Sequence, residues 1–163
     1  MNFCKEHFDR TEDDYNTPKS AWENIAHLLP RDKVLWEAFY GDGTSGDHLR
    51  DLGFDVIHRP INFYEHDLGD VVVSNPPFSD WVNVIKRLVA LTKPFVLIVP
   101  SSRLFTVKFQ SLFGASLDEL QVVIPRRRIQ FIRHPQPKHN RCNFDCVYIF
   151  YKMHLPDRLI FLP

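Results

Sequence analysis

A chain of 163 residues has the length of one domain, and 44% hydrophobic with 25% charged residues is the composition of a globular protein. The formal net charge of zero excludes a cationic field over the whole protein. The sequence has no apolar run of membrane-spanning length, its N-terminus is too charged for a signal peptide, and three cysteines are too few for a disulfide scaffold. We therefore expect one intracellular domain over residues 1–163, without membrane association.

The pattern of apolar residues predicts strands and helices that alternate along the chain. Helices are expected over residues 19–29 and 81–91. A short helix is also expected after a glycine-rich turn at 40–46, ending at about residue 52. Strands are expected at 33–39, 54–58, 71–74, 95–99, 120–124, 128–132 and 145–151. This alternation predicts an α/β fold, with a mostly parallel sheet and helices on both faces. A polar loop between the last strands predicts an antiparallel hairpin at the C-terminal end.

Charge is distributed unevenly along the chain. Residues 1–80 hold 16 acidic and 7 basic residues, whereas residues 81–163 hold 4 acidic and 13 basic ones. The densest basic segment, 126–141, contains no acid and carries Arg126, Arg127, Arg128, Arg133, Lys138 and Arg141. Such a segment is a candidate phosphate-contacting face for nucleic acid. The alternative is a solvated hairpin whose charge is balanced by the acidic half of the same domain.

The predicted strand at 33–39 runs into a glycine-rich turn, and a predicted helix follows. This order is typical of ligand-binding turns in doubly wound α/β sheets. Gly41 and Gly43 allow backbone dihedrals and close approaches that are closed to other residues. Glu37, at the end of the strand, is a candidate partner for a charged amine or a hydroxyl. A G-x-G sequence alone favours a tight turn that binds nothing, but the order of strand, acid, glycines and helix strengthens the case for a ligand-binding loop.

The most informative segment is 75–78, Asn-Pro-Pro-Phe, which follows the apolar strand 71–74. Two consecutive prolines fix φ and force an extended path, which can hold Asn75 rigid. The Asn75 amide oxygen and the Pro76 carbonyl are two acceptors that together suit a planar –NH2 group. Phe78 offers a flat face on which a ring can stack. The alternative is a strand-ending proline turn with a core phenylalanine, but the position of the motif in such a fold favours a functional role.

These motifs resemble those of class I S-adenosylmethionine-dependent methyltransferases that act on exocyclic or amide nitrogens, especially the small Dam-like N6-adenine methyltransferases of phages and large viruses. The segment 75–78 matches their Asp/Asn/Ser-Pro-Pro-aromatic motif, and 37–43 matches an acid followed by x-Phe-x-Gly-x-Gly. Residues 15–18 match an opening motif in which Thr-Pro follows an aromatic residue, and 143–146 echo a late motif near an antiparallel strand. The resemblance covers about residues 13–152.

The resemblance implies a Rossmann-like methyltransferase sheet, S-adenosylmethionine as cofactor, no metal, and an adenine amine of DNA or RNA as substrate, with DNA favoured. It implies a catalytic role for Asn75, Pro76, Pro77 and Phe78. It implies cofactor contacts from Tyr15, Thr17, Pro18, Glu37, Phe39, Gly41, Gly43, Asn62 and Phe63. The chain has no large insert that could be a separate target-recognition domain, so specificity is expected from the basic segment or from a partner, a second copy included.

Two positions depart from the family pattern. Family members usually have an acid after the second strand, where it holds the cofactor ribose, but this chain has His58, Arg59 and Pro60 there. Asn62-Phe63 stands where many members have an aspartate before an aromatic residue, near the cofactor adenine. Methylation of RNA adenine or of a protein glutamine amide remains open. So does a non-catalytic subunit that holds nucleic acid for an active partner.

Overall fold

The computed structural model describes residues 15–133 and 142–163, and the strands in these ranges form one seven-stranded sheet. In chain order they are β1 (Val34–Trp36), β2 (Asp55–Ile57), β3 (Val71–Ser74), β4 (Phe95–Pro100), β5 (Leu120–Ile124), β6 (Cys146–Tyr151) and β7 (Leu159–Phe161). Their order across the sheet is β2-β1-β3-β4-β6-β5-β7. β6 runs antiparallel to β4 and β5, and the other neighbouring pairs are parallel.

Four α-helices lie in the described ranges: α1 (Lys19–Glu23), α2 (Thr44–Asp51), α3 (Trp81–Ala90) and α4 (Val107–Ser111). Short 3-10 turns occur at Ala26–Leu28, Phe63–Glu65, Ser101–Arg103 and Gly114–Glu119. The predicted α/β class is confirmed, with a mostly parallel sheet in which β6, towards the C-terminal end, is antiparallel to β4 and β5. The predicted antiparallel hairpin is wrong in its partner, because β6 pairs with β4 and β5 and not with residues 128–132.

The core occupies both faces of the sheet, because the central strands β3, β4 and β6 are buried along their whole length. Side chains alternate between the faces along each strand. In β4, Ile98 packs in one apolar cluster with Trp22 of α1, and Leu97 packs in a second cluster with Leu88 of α3. Helices therefore cover both faces, as the alternation of elements predicts.

The carboxyl ends of β1, β3, β4 and β5 lie at one edge of the sheet, since β6 is antiparallel to both of its neighbours. From β1 the chain passes to β2 on one side, then returns to β3 on the other side of β1. This reversal is a topological switch point, the place where open α/β sheets bind their ligands. Glu37, which follows β1, and Asn75, which follows β3, therefore lie at the expected ligand-binding edge.

Several predicted elements have different bounds, and one is wrong. The helix predicted over 19–29 ends at Glu23, because Ile25 leaves helical dihedrals (φ −117°, ψ 5°), and only a 3-10 turn follows. The strand predicted at 33–39 is limited to β1, although the Glu37 N–H still donates to the Ile57 carbonyl at 3.0 Å. The short strand β7 was not predicted.

The strand predicted at 128–132 is absent from the described sheet. Ile129 and Phe131 are buried on alternate positions, as in a strand, but this segment pairs only through an isolated bridge between Ile132 and Asn16. Pro125 directly follows β5 and has no N–H to donate, so the ladder ends there. The segment instead packs its apolar side chains against the cluster that contains Trp22.

Gly46 in α2 allows a close approach that no other residue would permit. A Cβ at this position would lie 2.0 Å from Nδ1 of His58, the residue that follows β2. His58 is buried, its Nε2 donates to the Tyr40 carbonyl at 3.1 Å, and its ring lies 4.6 Å from the Tyr40 ring. The histidine therefore links the second strand to the glycine-rich turn.

We expect Gly46→Ala to lower the free energy of unfolding by about 2 kcal/mol, measured by urea denaturation. The displacement of His58 costs more than the roughly 1 kcal/mol that alanine gains over glycine in a helix. In a His58→Ala background the same substitution should be neutral or stabilising. An equal loss in both backgrounds would contradict the proposed clash.

Candidate active site

Three separated segments meet at the switch point: residues 15–18, the glycine-rich turn and residues 75–78. The Asn75 amide nitrogen donates to the Tyr15 carbonyl at 3.3 Å. A Cβ added at Gly41 would lie 3.3 Å from the side-chain oxygen of Asn16, so the turn also approaches the 15–18 segment. Thr17 is buried, and Pro18 stands at the N-cap of α1. The structure thus brings together three of the four motifs that carry the family resemblance.

Glu37 is the buried centre of this region, with only 1% of its surface exposed. The Ser45 hydroxyl donates to its Oε2 at 2.6 Å, and the Ser74 hydroxyl donates to its Oε1. The Phe39 N–H also donates to Oε1, at 3.3 Å. Ser45 in turn accepts from the Trp22 indole N–H at 2.9 Å. Both carboxyl oxygens therefore bind groups of the protein itself, and contact between Glu37 and a cofactor amine stays a prediction.

The carboxyl group of Glu37 is also electrostatically unusual. Burial raises the pKa of Glu37 from its ordinary value of 4.5 to about 7, although the hydrogen bonds from Ser45, Ser74 and Phe39 act in the opposite direction. Desolvation disfavours the charged form because a buried carboxylate loses its water shell. Near neutral pH the group is therefore partly protonated.

The glycine-rich turn has the conformation that its sequence predicts. Gly41 and Gly43 have φ of 59° and 90°, which lie in the left-handed region that favours glycine. The Tyr40 hydroxyl approaches within 3.0 Å of the position that a Gly43 Cβ would take. Asp42 accepts from the Thr44 N–H at 3.0 Å and closes the entry to α2. Gly41 is exposed and Phe39 half-buried, so the outer surface of the turn is accessible to a ligand.

The side-chain nitrogen of Asn75 has a hydrogen-bond partner, whereas its side-chain oxygen has none among the described residues. Its nitrogen donates to the Tyr15 carbonyl, and its Oδ1 is buried with no hydrogen-bond partner among the described residues. This orientation follows from chemistry, since a carbonyl only accepts and must therefore face the –NH2 group. A buried acceptor without a partner is costly and is rare in folded proteins. The arrangement leaves Oδ1 without a donor among the described residues.

Phe78 lies in a cluster of four aromatic rings. Tyr15 lies 5.5 Å from it between centroids, tilted by 31°, while Phe131 and Phe144 meet it edge-on at 5.9 and 5.5 Å. Arg133 lies over the Tyr15 ring at 4.8 Å. Phe78 is half-buried, Pro76 buried and Pro77 half-buried. The cluster connects the 75–78 segment with the chain that follows β5, and the stacking of a substrate ring on Phe78 stays a prediction.

The residues predicted near the cofactor adenine have partners within the protein. Phe63 is buried, with ring centroids 5.0 Å from Phe39 and 5.7 Å from Trp36. The Asn62 side-chain oxygen accepts from the Tyr64 N–H at 2.9 Å and caps a 3-10 turn. Phe63 therefore belongs to the core beneath Phe39. The contact of Asn62 and Phe63 with a cofactor stays a prediction.

The basic segment divides into parts with different environments. Arg128 is exposed and pairs with Asp145 at 2.9 Å, and this guanidinium lowers the pKa of the Asp145 carboxyl. Arg126 and Arg127 are exposed and, with Asn24 and His27, line a cavity of about 480 Å³. Lys138 and Arg141 lie outside the described residues. The accessible cations next to a cavity are thus Arg126 and Arg127.

Several residues of the site were not singled out from the sequence. Ser45 and Ser74 bind Glu37, and Phe131 meets Phe78 edge-on. Ser74 ends an otherwise apolar strand, which is the one local signal of a polar function for it. Phe131 lies far along the chain from Phe78, so no local pattern could identify that contact.

Similarity to known proteins does not assign a function to this site. No protein-family model matches the sequence, and no curated protein matches it. Within residues 15–133 and 142–163 no group of three or more His, Cys, Asp or Glu side chains is arranged to hold a metal ion. No helix of the described part of the chain is long and apolar enough to cross a membrane. The function must therefore be inferred from the geometry of the chain itself.

We expect Glu37 to make folding less favourable as the pH rises from 4.5 to 7. Over this range the unfolded chain loses the Glu37 proton while the folded protein keeps it, so the unfolding free energy falls by about 3 kcal/mol. Glu37→Gln removes this contribution. The free energy of unfolding of wild type and of Glu37→Gln is measured by denaturation at pH 5 and pH 7.5. Between these pH values the wild type should lose more stability than the variant. Parallel curves would contradict the raised pKa.

Proposed function

We propose that the protein is an S-adenosylmethionine-dependent methyltransferase with a Rossmann-like sheet, which methylates the N6 amine of adenine in nucleic acid, with DNA favoured. The observation that carries the proposal is the Asn75 Oδ1, a buried acceptor without a partner among the described residues, at the carboxyl end of β3 next to the switch point. An exocyclic amine is a donor of the right kind for it, since its two N–H groups lie in one plane.

The residues present fit the cofactor through the glycine-rich turn. Gly41 and Gly43 carry no side chain on the turn between β1 and α2. Both glycines have positive φ, a backbone conformation that other residues rarely adopt. When bound, S-adenosylmethionine supplies a methyl group on a positively charged sulfur. Tyr15, Phe39 and the outer surface of the turn are the half-buried or exposed groups that would hold it.

The task of the protein's own residues is to prepare a poor nucleophile. The adenine amine shares its lone pair with the ring, so it must become more tetrahedral before it attacks. An acceptor at Asn75 Oδ1 favours that geometry by binding one N–H, and the Pro76 carbonyl is the second acceptor in this proposal. The rate gain comes from positioning and electrostatic preorganisation rather than from proton transfer before attack. Phe78 would receive the ring of the extruded base.

The second candidate is a non-catalytic subunit that binds nucleic acid for an active partner. The engagement of both Glu37 oxygens within the protein favours it, as does the use of Asn62 Oδ1 as a cap. Cofactor binding, measured by calorimetry, separates the two candidates. Methylation of RNA adenine or of a glutamine amide would use the same acceptor. The exposed Arg126 and Arg127 favour a nucleic acid over a glutamine amide, because they can contact phosphates.

We expect Asn75→Ala to reduce kcat at least about 100-fold, the usual effect of removing a preorganised hydrogen-bond partner of the transition state. The assay is transfer from methyl-tritiated S-adenosylmethionine to duplex DNA, single-stranded DNA and RNA, with nucleoside analysis of the product. Asn83→Ala is the matched control, because Asn83 is exposed on α3 and its amide nitrogen donates to Asp80 at 2.9 Å. Near-normal turnover of a folded Asn75→Ala protein would refute the assignment.

We expect the double variant Arg126→Ala/Arg127→Ala to bind oligonucleotides more weakly and with less dependence on salt. The slope of log K against log [salt] should become shallower by about 0.7–0.9 for each phosphate that the variant no longer neutralises. Arg158→Ala is the control, since Arg158 precedes β7 at the opposite edge of the sheet and pairs with Asp118. An unchanged slope in the double variant would exclude these arginines as phosphate ligands.

A further inference from the structure

The connection that follows β4 places two large apolar side chains in solvent, Phe105 in the loop and Val107 at the start of α4, at the edge of the sheet that carries Asn75. Phe105 is 88% exposed and Val107 84% exposed, the highest values among the large hydrophobic residues that the structure describes. β4 is the direct neighbour of β3, with Leu97 paired to Ser74. Phe105 and Val107 therefore lie in the connection between β4 and β5, next to the strand that leads to Asn75.

The loop is held in place by specific contacts. Its first residue, Ser101, donates its N–H to the Asp145 carbonyl at 2.8 Å. The Thr106 hydroxyl donates to the Arg103 carbonyl at 3.0 Å and accepts from the Phe109 N–H at 3.1 Å, which caps α4. Phe109 is buried and stacks on Trp81 at 5.9 Å between centroids. These contacts fix the residues on both sides of Phe105, so the conformation of the loop keeps its side chain exposed.

The charges around the exposed pair indicate what it contacts. Arg103 and Lys108 are exposed on either side of it, and residues 101–117 contain no acid. The Arg103 guanidinium lies over the ring of Trp81, a residue only three positions beyond Phe78, at 5.7 Å. Asp80, the acid of the neighbouring loop, is already bonded to Tyr64 and Asn83. An apolar tip flanked by cations suits nucleic acid, in which stacked bases lie between phosphates.

We propose that Phe105, supported by Val107, is a wedge that enters a duplex and fills the space left when the target adenine leaves the stack. The inference rests on the proposed methyltransferase function and names a positioning residue for it. An extruded base costs unstacking and unpairing energy, and an inserted apolar side chain restores part of the lost stacking. A single strand carries no such cost, so the wedge acts on duplex substrate alone.

The test compares Phe105→Ala with the full-length wild-type chain on a duplex and on the single strand of the same sequence. We expect kcat/KM on the duplex to fall about tenfold, with single-strand transfer within about twofold of wild type. Phe105→Trp should restore duplex activity, because indole also stacks. Phe161→Ala is the matched control, since Phe161 is 70% exposed on the outermost strand β7.

Binding of a duplex with 2-aminopurine at the target adenine gives a second readout that needs no methyl transfer. Wild type should raise the fluorescence as the base leaves the stack, and Phe105→Ala should lose most of the rise. An unchanged rise, an equal loss of transfer on both substrates, or an equal effect of Phe161→Ala would overturn the wedge. Absence of transfer by wild type to any nucleic acid would instead refute the proposed function, and the fluorescence would still decide on the wedge.

Discussion

The structure of the site depends on one buried carboxyl group. Glu37 accepts hydrogen bonds from Ser45 on α2 and from Ser74 at the end of β3, and Ser45 extends the network to Trp22 of α1. Four segments that are far apart in the chain are therefore fixed relative to each other at the switch point. The arrangement buries a group that is charged in water, and this burial raises the pKa of Glu37.

The position of Asn75 follows from this network. Ser74 is held by Glu37 on one side, and the two prolines after Asn75 restrict the backbone on the other. The Asn75 amide nitrogen is taken by the Tyr15 carbonyl, which fixes the direction in which Oδ1 points. No described residue donates to that oxygen, so it stays buried without a partner. The Glu37 carboxyl group thus helps to position Asn75 Oδ1 through Ser74, without contacting that oxygen itself.

The fold was largely predictable from the sequence, since strands such as 71–74 and 95–100 are continuous apolar runs whose burial does not depend on distant details. Residues 128–132 show the limit of this reasoning. Their alternation of buried and exposed side chains is present, but a strand also needs a partner with free backbone groups, and among the described residues only Asn16 bridges to it. The Glu37 network was not predictable, because neither Ser45 nor the polar end of the apolar strand at Ser74 indicates Glu37 as its partner until the fold brings the three residues together.

His58 gives a physical account of the missing ribose acid. The residue stands after β2, where the methyltransferases that the chain resembles usually carry a carboxylate, and it packs its ring against Gly46 and Tyr40 instead. Burial lowers the pKa of His58, because desolvation disfavours the charged form of the ring. His58 therefore stabilises the glycine-rich turn through its contacts with Tyr40. In the proposed site, cofactor affinity must then come from the backbone of that turn and from residues 15–18, which meet it through Asn16 and Gly41.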